Sequence, residues 1–163
     1  MVAQALGFPY HDIDDYIWRW DTPMPYTVMN TREQKISGLM NAISRAEHFV
    51  MAGSMSSFHQ HFDPLFDLAV HLTCDAAIRT KRVHARELAA FGDRILPGGD
   101  MYDEHQRFLA QVNGYDSGKG SPNMAEHSTW LDSLPCQTLR LYGAEPLEKN
   151  CGIIVSEYRK LLR

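Results

Sequence analysis

The chain has 163 residues, a length suited to one domain with a core of its own. Hydrophobic residues make up 44% and charged residues 22%, and the net charge of −4 excludes a general nucleic-acid or membrane-surface binder. No apolar run approaches the roughly 20 residues of a transmembrane helix, and the three cysteines lack metal-ligand spacing. We therefore expect a cytoplasmic protein with reduced cysteines and neither nucleic-acid nor membrane partners.

Residues 1–6 followed by Gly7 predict the last turns of a helix with a glycine cap. Three carboxylates then stand within four positions, at Asp12, Asp14 and Asp15. In a strand, Asp12 and Asp14 would point to the same face. Because neighbouring carboxylates repel each other, a Mg²⁺ ion or a ring of arginines would relieve them. The alternative is a solvated acidic turn in which Asp14 or Asp15 caps a helix.

Hydrophobic periodicity and turn residues predict alternating strands and helices along the rest of the chain. Buried strands are expected at 49–54, 68–74 and 137–142, and helices at 31–46, 75–91, from 100 onward, 123–134 and 145–162. This alternation is typical of an α/β fold with a parallel sheet. Because ligands of such sheets bind beyond the carboxyl ends of the strands, we expect the acidic stretch, the Gly53-Ser54 turn and the loop after Cys74 at one edge.

Arginines follow the predicted strand at 68–74. Residues 79, 82 and 86 share one face of the next helix, and Arg94 lies in a glycine-flanked loop. Guanidinium groups at one end of a sheet suit phosphate oxygens, which accept two hydrogen bonds from each group. The alternative is a solvated helix face whose arginines pair with neighbouring carboxylates.

Several histidines could suggest a metal site. His59, His61 and Asp63 have the spacing of a His-x-His-x-Asp zinc set. Ordinary loop residues are the favoured interpretation, because the chain offers no further histidine cluster at a strand end. His71 in a buried strand and His127 on a helix are interpreted as structural histidines.

The order of these pieces resembles the adenylate-kinase-like P-loop NTPases of the AAA family ATPases, relatives of small-molecule kinases. The similarity runs nearly from end to end, which favours a single domain over residues 1–163. The matching pieces are Phe8-Pro-Tyr-His-Asp-Ile-Asp-Asp-Tyr-Ile-Trp18, Phe49-Val-Met-Ala-Gly-Ser54, Phe66-Asp-Leu-Ala-Val-His-Leu72, Arg79-Thr-Lys-Arg82, Arg86-Glu87, Phe91-Gly-Asp-Arg-Ile-Leu-Pro-Gly-Gly-Asp-Met101 and His127-Ser-Thr-Trp130.

The resemblance implies phosphoryl transfer from ATP to a small molecule with Mg²⁺, and a three-layer parallel sheet flanked by helices. It implies a lid-like segment around residues 79–120. The residues it points to are Asp12 and Asp14 for catalysis and the metal, Asp15 and Ser54 for the acceptor, and Arg82, Arg86 and Arg94 for the phosphates.

One departure bears on activity: the 163 residues contain no Gly-x-x-x-x-Gly-Lys-Ser/Thr loop, and the family's first strand is missing with it. That loop supplies the amides and the lysine that hold phosphates. We expect a chain that is truncated at its amino terminus or has lost the loop, so that enzyme activity is an open question. The alternative is a non-catalytic domain that binds a small molecule, an anion or another protein, with no cofactor.

The missing strand is the central one in the strand order 2-3-1-4-5 that the resemblance implies, and its loss leaves exposed edges. We expect the strands at 49–54 and 68–74 to close the gap by pairing directly. A homodimer across a remaining edge is the accompanying expectation.

Overall fold

The computed structural model describes residues 1–55 and 57–162, which are mostly helical. The helices are α1 (Val2–Leu6), α2 (Asp14–Ile17), α3 (Arg32–Ile43), α4 (Ala76–Phe91), α5 (Tyr102–Gly114), α6 (Met124–Ser133) and α7 (Leu147–Leu161). The strands are β1 (Tyr10–Asp12), β2 (Val50–Ala52), β3 (Leu68–Thr73) and β4 (Gln137–Tyr142). Among the described residues, no helix has both the length and the apolar character needed to cross a membrane.

The predicted three-layer parallel sheet is wrong. The strands form two separate two-stranded sheets, β1 with β2 and β3 with β4, in a chain that is 55% helical. The direct pairing expected between residues 49–54 and 68–74 is also wrong, because each segment pairs with a different partner. Strands of three residues in β1 and β2 offer few main-chain hydrogen bonds, so they form a short ribbon and not a broad sheet.

The predicted helices and strands otherwise appear close to their expected places, because their signals are local. The burial expected of the strands is wrong, since most residues of β2, β3 and β4 are half-buried or exposed. Thr31 caps α3 in a capping box, in which its hydroxyl accepts from the Gln34 amide and its amide donates to the Gln34 side chain. Gly7 ends α1 with a φ of 73°, the left-handed conformation that glycine adopts without strain. Both features were predicted from the residue types alone.

The chain divides into two compact units. The first contains Met1–Leu68, Pro135–Gln137 and the residues from Leu147 onward, and the second contains Ala69–Leu134 and Thr138–Pro146. Buried hydrophobic side chains in the first unit are Ile13, Leu39, Ile43, Met55, Phe58, Phe62, Cys151 and Tyr158; those in the second are Ile95, Met101 and Leu131. The single domain expected from chain length stays a prediction.

Candidate functional site

The carboxyl ends of β1 and β2 lie side by side in the first unit. The two strands are parallel, with Asp12 opposite Ala52, and the Ile13 amide donates to the Ala52 carbonyl oxygen over 2.9 Å. Asp12 and the Gly53-Ser54 turn therefore follow neighbouring strands at the same end. We call this region, residues 12–15 with 53 and 54, the acidic strand end.

Close packing between the two strands fixes the acidic strand end. Ile13 is fully buried, and a Cβ built on Gly53 would lie 2.7 Å from the Ile13 Cβ. Gly53 also has a φ of +123°, a conformation that side chains with a Cβ rarely adopt. The sequence therefore needs glycine here for two independent reasons, and Ser54 is held directly after it.

The Asp12 carboxylate organises the first turn of α2. Its Oδ1 accepts from the Asp14 amide over 3.1 Å, and its Oδ2 accepts from the Tyr10 hydroxyl over 3.3 Å. Asp14 and Asp15 begin a helix and do not continue the strand, so the expectation that Asp12 and Asp14 share a strand face is wrong. Asp14 and Asp15 are exposed, as the alternative of a solvated acidic turn expects, but neither caps the helix, because Ile13 occupies the N-cap position.

The negative charge of the acidic strand end contributes to a raised pKa at two nearby tyrosine hydroxyls. Burial first and then the Asp12 carboxylate raise the pKa of the Tyr10 phenol, and burial with Asp15 raises the pKa of Tyr16. Among the described ion pairs, neither Asp12 nor Asp15 has a lysine or arginine partner. This end of the strands therefore favours a cation or a hydrogen-bond donor as its ligand.

An aromatic loop follows α2. Trp18 pairs with Met29 across an antiparallel bridge, and Tyr26 packs edge-on against both Trp18 and Trp20, with ring centroids 5.9 and 5.1 Å apart. Tyr26 has a φ of 60°, which costs free energy for a residue other than glycine. Asn30 holds the loop by donating from its side-chain amide to the carbonyl oxygens of residues 16 and 18.

The side chains of the acidic strand end can be compared with the ligands that Mg²⁺ and ATP require. Within residues 1–55 and 57–162, no group of three or more His, Cys, Asp or Glu side chains could hold a metal ion. Mg²⁺ keeps several waters and needs only one or two carboxylates, so the chemistry of Asp12 and Asp14 suits a hydrated ion, and metal binding by them stays a prediction. The 163 residues contain no glycine-rich loop to hold the phosphates of ATP.

The arginines expected to bind phosphate lie in the second unit, where the structure gives most of them partners. Arg79, on the same helix face, donates to the carbonyl oxygens of Cys74 and Val112, pairs with Asp116 at 3.0 Å, and lies 5.0 Å from the Tyr115 ring centroid. These contacts tie the start of α4 to the end of α5. Arg79 therefore has a structural role.

Arg82 and Arg94 are also engaged, and Arg86 is not. Arg82 donates to the carbonyl oxygen of Gly143 over 2.7 Å, and Arg94 forms two hydrogen bonds with Asp100 over 2.9 and 2.8 Å. Those bonds lower the pKa of the Asp100 carboxyl. No hydrogen bond or ion pair is found for Arg86 among the described residues. Phosphate binding by these three stays a prediction, and an anion at Arg94 would have to displace Asp100.

Two histidine networks in the second unit were not foreseen. In the first, the Tyr115 hydroxyl bridges His71 Nε2 at 3.0 Å and His127 Nδ1 at 2.7 Å, while the buried His71 Nδ1 has no hydrogen-bond partner. Burial lowers the pKa of both histidines. In the second, Glu87, His105 and His84 form a chain between α4 and α5. The sequence shows only that His84 and Glu87 lie three positions apart on one helix. The residues that join each network, His105 and Tyr115, come from other parts of the chain.

The His59-x-His61-x-Asp63 segment forms no metal set. His59 Nδ1 lies 2.7 Å from the Asp63 carboxylate, and His61 is exposed. These residues form two short 3₁₀ helices, His59–His61 and Asp63–Leu65, and the interpretation that they bind no zinc stays a prediction.

Comparison with known proteins identifies one similar sequence. The chain is 25% identical over 153 residues to the uncharacterized protein YqaC of Bacillus subtilis (strain 168), a match that covers 93% of this chain and 80% of YqaC. No family model and no solved structure matches the chain. The resemblance to P-loop NTPases therefore stays a prediction, and function must be argued from the chain's own residues.

Proposed function

We propose that this chain is a small-molecule-binding protein related to the adenylate-kinase-like P-loop NTPases, and that the acidic strand end holds the phosphoryl acceptor. The observation that carries the proposal is the register of β1 and β2, which puts Asp12 beside the Gly53-Ser54 turn. Asp12 and Asp14 hold a hydrated Mg²⁺ ion, and Asp15 and Ser54 contact the acceptor. Among the described ion pairs, Asp12 and Asp15 have no arginine or lysine partner, which suits these roles.

A second candidate is ligand binding without phosphoryl transfer. It is favoured by the hydrogen bonds of Arg79 and Arg82 to main-chain carbonyl oxygens, which leave fewer of their N–H donors for a nucleotide. Without a phosphate loop, the 163 residues would not position a phosphoryl donor for transfer.

The cation part of the proposal is tested with Mn²⁺, a paramagnetic substitute for Mg²⁺. Electron paramagnetic resonance measures free Mn²⁺ as protein is added to a fixed amount of metal. We expect binding that Asp12→Asn weakens strongly, because the substitution removes a charge but keeps an oxygen for the Asp14 amide. Asp103→Asn is the matched control, since Asp103 is an exposed aspartate in the first turn of α5. Equal affinities in both variants would contradict the assignment.

The nucleotide part is tested by calorimetric titration with Mg-ATP. We expect a dissociation constant weaker than about 10 μM, corresponding to less than roughly 7 kcal/mol of binding free energy. Tighter binding would show that other residues replace the phosphate loop, and the second candidate would then lose its support.

A further inference from the structure

Three side chains form a hydrogen-bonded chain between α4 and α5 in the second unit. Glu87 Oε2 lies 2.5 Å from His105 Nδ1, and His105 Nε2 lies 2.9 Å from His84 Nδ1. His105 is only 3% exposed, whereas His84 is half-buried. Both ring nitrogens of the buried histidine are thus engaged by other side chains.

The protons of this chain follow from its geometry. The Glu87 carboxylate accepts, so His105 Nδ1 carries a hydrogen. In a neutral His105 ring, Nε2 then holds a lone pair aimed at His84 Nδ1. Since these two nitrogens face each other at 2.9 Å, one proton is shared between them. Two imidazole nitrogens therefore converge on a single point, with a carboxylate behind one of them.

We propose that His84 and His105 bind a divalent transition-metal ion, which takes the place of the hydrogen between their rings while His84 changes to the tautomer that carries its hydrogen on Nε2. With zinc–nitrogen bonds of about 2.0–2.1 Å and tetrahedral angles, two ligand nitrogens lie roughly 3.3–3.4 Å apart. The two nitrogens must separate by about 0.4–0.5 Å from their present contact, and the rings must also turn, because a tetrahedral ion lies off the line that joins its two ligand nitrogens. The half-buried His84 provides this movement, and its exposed side provides the entry for the ion.

Glu87 acts as the positioning residue. A histidine that ligates metal commonly donates its other N–H to a carboxylate, which fixes its tautomer and increases the basicity of the ligating nitrogen. The His105–Glu87 contact has this arrangement before any metal binds. Water completes the coordination, since the described residues place no third His, Cys, Asp or Glu ligand at a shared metal position.

The ligand chemistry selects the ion. Imidazole nitrogens favour Zn²⁺, Ni²⁺ or Cu²⁺, whereas Mg²⁺ prefers oxygen ligands. Arg86 and Lys81 on the same helix oppose a cation, so we expect affinity in the micromolar range. The site shares no residue with the acidic strand end, and it stands or falls independently of the proposed function.

The experiment titrates Zn²⁺ into chelator-treated protein and measures binding by competition with a chromogenic chelator. We expect a single micromolar site with no net proton release from a neutral pair, since the hydrogen that leaves His84 Nδ1 is matched by one taken up at its Nε2. His84→Gln abolishes this binding. His61→Gln is the matched control, an exposed histidine from the loop, and it leaves binding unchanged.

Glu87→Gln separates positioning from structure. We expect it to weaken Zn²⁺ affinity by about 10–100-fold while the protein stays folded by circular dichroism. Glu87→Asp, which restores the carboxylate, recovers part of the affinity. If the buried His105 cannot be replaced without unfolding, the half-buried His84 still decides the question. The proposal is overturned if the wild type binds Zn²⁺ no better than about 1 mM, or if His84→Gln binds as the wild type does.

Discussion

The acidic strand end and helix α4 are both charged, but they use their charges in opposite ways. Asp12 and Asp15 have no arginine or lysine partner among the described ion pairs, and their negative charge acts on tyrosines nearby. Arg79 and Arg82 instead donate to main-chain carbonyl oxygens of their own unit. The comparison teaches that residue type alone does not mark a binding site. The partners that the fold supplies decide which charges remain for a ligand.

The largest expected effect concerns the packing that holds the acidic strand end. Gly53→Ala places a Cβ against the buried Ile13 and demands a positive φ, so we expect a loss of about 2–4 kcal/mol in the free energy of unfolding. Gly7→Ala is the control, because it also has a positive φ but no heavy atom near the new Cβ. It should cost only about 1 kcal/mol. Equal losses in urea unfolding would show that the strand ends are not closely packed.

Two arginines of α4 test the structural role of the basic face. Arg79→Ala removes hydrogen bonds to two carbonyl oxygens and an ion pair with Asp116, so we expect a loss of about 2–3 kcal/mol. Arg86→Ala also removes an arginine side chain from α4, but one with no hydrogen bond or ion pair among the described residues. It should change stability by less than about 0.5 kcal/mol. Urea unfolding measures both. A large loss in Arg86→Ala, or none in Arg79→Ala, would reverse the assignment of roles.

A smaller effect concerns pH. Burial lowers the pKa of His71, as do the charges of His127 and Arg140, and burial lowers the pKa of His127 against an opposing effect of Glu126. The unfolded chain therefore binds more protons than the folded one just below the ordinary histidine pKa of about 6.5. Stability is full above that pH and falls as the pH drops through this range.

Substitution of His71 isolates this effect. His71→Gln keeps a polar side chain beside the Tyr115 hydroxyl but does not titrate, so the fall in unfolding free energy with acid should become shallower. His61→Gln should keep the wild-type slope, because His61 is exposed. Parallel slopes in all three proteins would show that the buried network does not control the acid response.

Local signals explain what the sequence predicts well. The capping box at Thr31, the glycine cap at Gly7 and the six-residue strand at Gln137–Tyr142 depend on neighbouring residues, and all three are confirmed. Sheet formation depends on distant partners, and there the sequence-based expectation fails. A short apolar segment such as Val50–Ala52 does not reveal which strand it pairs with.

In the candidate site, too, the features that depend on local sequence are predicted, and those that depend on distant residues are not. The sequence identifies Asp12 and Ser54 as strand-end residues, because parallel strands bring their carboxyl ends together. It does not reveal that the strand ends at Asp12 and that a helix begins at Asp14. In the structure, the Asp12 carboxylate accepts a hydrogen bond from the Asp14 amide at this point. The engagement of Arg82 by Gly143 joins residues that are 61 positions apart, so no local pattern contains it.

The most direct test of this contrast follows the backbone amide signals of the ¹⁵N-labelled protein by nuclear magnetic resonance. Mn²⁺ and inorganic phosphate are added in separate titrations. We predict that Mn²⁺ first broadens the signals of residues 12–15, 53 and 54, and that phosphate leaves the signals around Arg79 and Arg82 in place. Phosphate-dependent shifts around Arg79 and Arg82, with no Mn²⁺ broadening at the acidic strand end, would contradict the account.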